Sequence, residues 1–111
     1  MTDEPTAAAS MLAHNVFFTL KNDSAAARAK LVEACHEYLK GHDGVAFFAA
    51  GPLTADLDRP VNDRQFQVGL HVIFKDRQSH DDYQVSPRHL QFIEENKASW
   101  QQVRVFDSDV R

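Results

Sequence analysis

Residues 66–74 constrain this chain more than any other stretch: Phe66, Val68, Leu70, Val72 and Phe74 alternate with Gln67, Gly69, His71 and Ile73. A period of two sends successive side chains to opposite faces of a strand, so one sheet face here is wholly apolar and needs a cover. A cover is encoded nearby. Asn22-Asp23-Ser24 reads as a turn and helix cap, residues 25–40 are rich in helix formers, and Gly41 supplies a stop. Ala27, Leu31, Ala34, Cys35 and Tyr38 recur at three- and four-residue spacing, with Arg28, Lys30, Glu33 and Glu37 mostly outside that stripe.

The remaining elements follow by the same rules. Over residues 14–21, His14, Val16, Phe18 and Leu20 share one strand face and Phe17 and Thr19 the other; residues 45–53 form an aromatic strand that ends in the Gly51-Pro52 bend. Residues 54–64, with Pro60 and Asn62-Asp63, read as a loop. Asp76 can cap a short helix reaching about residue 83, Ser86-Pro87 restarts a helix with Leu90 and Ile93 inward, and residues 103–107 close the domain as a strand. The order β-α-β-β-α-β predicts an α+β, ferredoxin-like antiparallel sheet with its helices on one face. Residues 12–111 form the single domain of this reading and residues 1–11 a flexible N-terminal tail. Bulky residues of both parities (Val16 and Phe17, Phe47 and Phe48, Val105 and Phe106) leave the helix-free face apolar. Monomers rarely expose patches beyond about 300–600 Å², so a homodimer with an interface of at least about 1,000 Å² is expected.

Composition narrows the partners. Twelve Lys+Arg against sixteen Asp+Glu give the 111 residues a net charge of −4, which speaks against nucleic acid and anionic membrane as partners. No apolar run reaches the roughly 18 residues of a bilayer span. Asp3 and Glu4 stand where a secretory leader carries positive charge, and the single Cys35 cannot form an internal disulfide, so a cytoplasmic location is expected.

Four segments in this order carry a likeness: His14-Asn15-Val16-Phe17-Phe18, Gly51-Pro52, Tyr83-Gln84-Val85-Ser86-Pro87-Arg88-His89 and Val105-Phe106-Asp107. With them the chain resembles the stress-responsive dimeric α/β-barrel (Dabb) family over nearly its whole length. The resemblance implies a dimeric α/β barrel built from the sheets of two chains, a pocket in each subunit between sheet and helices, and no assigned reaction for much of the family. It also implies a second possibility, since some plant members are polyketide cyclases that perform an intramolecular aldol condensation. Their histidine before the second helix, histidine on the first strand and one tyrosine are matched by His89, His14 and Tyr83. The chain departs from them at Ser86, where the cyclases carry histidine, and on the first helix, where their second tyrosine falls near His36, with Tyr38 at another angle.

An enolising reaction needs a base of near-neutral pKa and a donor for the developing oxyanion, roles that imidazole (about 6.5) and phenol (about 10) can fill. His89 is the candidate base, Tyr83 the candidate donor, and His14 a third candidate catalytic residue in the pocket. The first functional expectation is a protein of unassigned activity that binds a small apolar molecule. The alternative is a cofactor-independent polyketide cyclase-like or monooxygenase-like enzyme using His89 and Tyr83. No cofactor is expected, because no phosphate-cradling glycine loop occurs, and no metal, because His80-Asp81-Asp82 lacks ligand spacing and reads as a solvated helix face. Cys35 lies within the apolar stripe as an inert thiol, His71 reads as a polar position of the sheet's other face, and Trp100 as core or pocket lining.

Overall fold

The computed structural model describes residues 10–111; of the tail expected over residues 1–11, residues 1–9 lie outside the described residues. The chain runs through β1 (Met11–Leu20), α1 (Ala25–Leu39), β2 (Val45–Pro52), β3 (Val68–Phe74), α2 (Arg77–Val85), α3 (Pro87–Asn96), a 3₁₀ turn (Lys97–Ser99) and β4 (Trp100–Val110). Local chemistry starts each helix. Ser24, Asp76 and Ser86 accept hydrogen bonds from the backbone N–H groups of Ala27, Ser79 and His89, satisfying donors that a first helical turn leaves free. Pro87 has no N–H to give α2, so the chain breaks at Ser86 and α3 begins with the proline at its first turn.

The last strand is longer than the sequence pattern predicts. β4 pairs with β1 from Leu20↔Trp100 to Met11↔Val110, well beyond residues 103–107. Polar residues such as Gln101, Gln102 and Asp109 hide the strand from a hydrophobic pattern, yet its backbone groups still pair with the ladder.

One expectation is corrected. The chain forms an α+β, ferredoxin-like antiparallel sheet with flanking helices, but the sheet is not closed into the α/β barrel that was expected. Its order is β2-β3-β1-β4, which leaves β2 and β4 as opposite edges. Four strands cannot curl around an interior of side chains, which takes about eight. The core therefore forms in two layers, between one sheet face and the helices.

That face carries Leu12, Val16, Phe18 and Leu20 of β1 and Val68, Leu70, Val72 and Phe74 of β3, packed on Leu31, Cys35 and Leu39 of α1, Tyr83 of α2 and Phe92 of α3. Arg88 fixes α3 to α1 by donating to the carbonyls of Glu37 and Lys40, which lie where α1 has no further N–H to offer. Among the described residues, no helix is long and apolar enough to cross a membrane.

Candidate functional site

The register of the sheet and the α2–α3 break bring the three candidate residues together. His14 sits on the helix-facing side of β1, opposite Asp107 of β4. Tyr83 lies on the inner face of α2 and His89 in the first turn of α3, just past the break. The Tyr83 ring stands 4.6 Å from that of His89 and 6.1 Å from that of His14, centroid to centroid. All three are buried. They line one cavity of about 170 Å³ between the sheet and the helices, with Phe92, Trp100 and Val105 among its walls.

Hydrogen bonding settles the tautomers of both histidines. The carbonyl of Gln84, 3.1 Å from His89 Nδ1, can only accept, so Nδ1 carries the proton and Nε2 keeps its lone pair. His14 Nδ1 lies 2.6 Å from Asp107 Oδ1 and donates to that carboxylate, again leaving Nε2 free. Burial lowers the pKa of both imidazoles. At His14 the Asp107 carboxylate pulls the other way; at His89 the bond to Gln84 does, while His14, His42 and His80 reinforce burial. Both rings are thus held in the neutral form.

Two further polar atoms stand out on the same walls. The Tyr83 hydroxyl and the Trp100 indole N–H are buried and have no hydrogen-bond partner among the described residues. Burial above all, and then the neighbouring Cys35, push the Tyr83 pKa well above its ordinary value, so the phenol is a donor and not a base. Unpaired buried donors cost a fold stability, and their concentration at one cavity is a feature that a ligand acceptor would relieve.

The other sequence candidates fall elsewhere. Tyr38 packs partly buried against the core and donates its hydroxyl to Glu95 at 2.7 Å, and His36 packs edge-on against Phe48, 5.2 Å away. Neither lines the cavity. Cys35 is fully buried, and burial pushes its thiol up to about 12, so it stays protonated and unreactive. His71 lies on the helix-free face, where its Nδ1 donates to Asn15 Oδ1 at 2.8 Å. A larger depression of about 420 Å³ near His42, Asp43 and Asp76 is polar, but Asp76 is used as the α2 cap and His42 bonds the Tyr38 carbonyl.

Sequence reasoning missed two neighbours of His14. Asp107 is its cross-strand partner, and His80 turns inward from α2 to place its ring 5.2 Å from His14. A signal for His80 did exist: it precedes Tyr83 by three residues, which puts both on one helix face.

Comparison with known proteins follows the same lines. A Dabb-family protein with a ferredoxin-like fold from Mesorhizobium loti is 22% identical and superposes with a TM-score of 0.73 over 89% of this chain and 95% of its own. A dimeric ferredoxin-like protein of unknown function from Thermobifida fusca is 10% identical, with a TM-score of 0.73 over 91% and 92%. The hydroxynitrile lyase of Passiflora edulis is 18% identical, with a TM-score of 0.72 over 91% and 94%. At these identities the likeness is one of fold. No curated protein sequence matches the chain. Residues 12–110 match the family model described as the stress responsive A/B barrel domain, Dabb.

Proposed function

We propose, since the chain belongs to the stress responsive A/B barrel domain (Dabb) family, that it binds a small single-ring molecule in the cavity lined by His14, Tyr83 and His89. One observation carries the reading: the unpaired Tyr83 hydroxyl and Trp100 N–H belong to the walls of the same cavity as two neutral imidazoles. The two donors ask for an acceptor such as a carbonyl oxygen. The free Nε2 lone pairs ask for a donor such as a hydroxyl. A cavity of about 170 Å³ is close in size to the ~150 Å³ cavities that take one benzene ring. The ligand class is therefore an aromatic ring carrying a carbonyl and a hydroxyl.

A second copy of the chain belongs to this reading. Phe47 of β2 and Phe106 of β4 are each about half exposed (52% and 53%) on the helix-free face, and Phe106 packs against Phe17. A homodimer covering that face accounts for them, and the dimeric Thermobifida fusca neighbour supports it. The expected cytoplasmic location suits a chain whose only cysteine is a buried free thiol.

The close approach of Tyr83 and His89 favours an enzymatic use of the same cavity. His89 Nε2 would take a proton from the carbon beside the ligand carbonyl, and Tyr83 would hydrogen-bond to the resulting enolate oxygen. The test uses hydroxyacetophenone in heavy water, with binding followed by chemical-shift changes and enolisation by loss of the methyl proton signal. Saturable binding that weakens in Tyr83→Phe supports the binding reading; toluene binding equally well would remove it. Methyl exchange that drops at least ~100-fold in His89→Ala supports the enzymatic use. Exchange unchanged in that variant would sink it.

A further inference from the structure

We propose that His14, His80 and Asp107 form a site for a borderline divalent transition-metal ion of the zinc and cobalt class, with a coordination position left open for an oxygen ligand. One ligand atom from each residue lies within 4.8 Å of those of the other two. The three come from β1, α2 and β4, so the site exists only in the folded chain. Two imidazoles and a carboxylate are the donor set that such cations share, and three protein ligands leave room for water, a carboxylate or a carbonyl.

The protonation pattern suits this use. His80 Nδ1 lies 3.0 Å from Asp81 Oδ1 and donates to it, which leaves Nε2 with its lone pair, as at His14. A carboxylate behind a ligating histidine fixes its tautomer and ring orientation. Asp81 is itself held by Arg77, whose Nε donates to the same oxygen at 2.9 Å. Ligand atoms around such a metal stand roughly 3 Å apart, at metal–ligand distances of about 2.0–2.2 Å. Asp107, whose side chain is 44% exposed, is the ligand freest to turn toward the ion. Gathering Asp107 onto the metal replaces its hydrogen bond to His14.

The site shares His14 with the organic-ligand reading and nothing else, because neither His80 nor Asp107 lines the cavity of His14, Tyr83 and His89; variants of His80 and Asp107 therefore test the metal site apart from that reading. Its test is a titration of the full, tag-free chain, stripped of metal, with zinc chloride by calorimetry and cobalt(II) chloride by visible absorption. One ion per chain is expected, with an intense cobalt ligand-field band that marks low coordination number. His80→Gln is expected to weaken binding more than ~100-fold and abolish the band, and Asp81→Asn to weaken it about 10-fold. Asp107→Asn should weaken binding without change in the far-ultraviolet circular dichroism. Absence of saturable binding, or equal affinity and spectrum in His80→Gln, would overturn the site.

Discussion

At the scale of single residues, Tyr83 holds the sharpest tension in the molecule. Its ring is core, 2% exposed, yet its hydroxyl has no partner among the described residues. A buried unsatisfied polar group costs about 1–3 kcal/mol, so Tyr83→Phe is expected to raise stability by about 1 kcal/mol in urea unfolding while weakening ligand binding. A loss of stability would mean that the hydroxyl is satisfied in solution and is not available to a ligand. The histidines give a pH dependence of definite sign. Burial lowers the pKa of His89 and His71 in the folded chain, so unfolding releases them to an ordinary value near 6.5. Their contribution to stability is whole above that value and is lost as pH falls through it toward the lower folded pKa. Each adds a slope of at most about 1.4 kcal/mol per pH unit within that window. Equilibrium unfolding from pH 7.5 to 5 should therefore show stability falling with acid, and His71→Gln should flatten the curve; an unchanged slope would mean His71 is not titrating between the two states.

Among the elements, the α1–β2 turn shows what a sequence tells and what only packing decides. Gly41 and Gly44 both sit at positive φ, 83° and 84°, and both read as turn or cap glycines. Only at Gly44 would a Cβ run into Ser79 of α2; a Cβ at Gly41 would meet none of the described residues within 4 Å. Gly41→Ala is expected to cost about 1 kcal/mol from backbone strain alone, and Gly44→Ala at least about twice that, with α2 displaced. Thermal unfolding of the two variants measures the difference; equal losses would mean that Ser79 gives way freely. The same division holds elsewhere. The caps at Ser24, Asp76 and Ser86 and the break at Pro87 are local chemistry and were legible. The ends of β4 and the meeting of His14, His80 and Asp107 were not, because they depend on ladder register and on how α2 lies against the sheet. His14, Tyr83 and His89 were singled out through a family likeness. That they share one cavity is a product of the fold, while the lack of partners at the Tyr83 hydroxyl and the Trp100 N–H has no trace in residue order.

At the scale of the whole molecule, the alternation that made the sheet predictable did not decide how the sheet ends. Strand polarity specifies faces, and closure is a matter of edges; four strands in the order β2-β3-β1-β4 keep both edges open. What the sequence did convey is the chemistry of the face without helices. Phe17 packs edge-on with Phe66, Phe106 and His71 at 4.9–5.8 Å, and this aromatic group spans β1, β3 and β4 at the centre of the sheet. Arg104 and Asp63, paired at 2.6 Å, border it. An apolar centre with a charged rim is the usual anatomy of a protein interface. If a second copy covers it, a charge placed at its centre must be desolvated or the dimer must open. Phe106→Asp is therefore expected to give a folded monomer, and Arg104→Ala to leave the dimer in place, because rim ion pairs contribute about 0–1 kcal/mol. Light scattering at micromolar concentration reads the mass directly. A Phe106→Asp variant of undiminished mass would place the contact between copies elsewhere, and a wild-type monomer would leave the aromatic face to another partner.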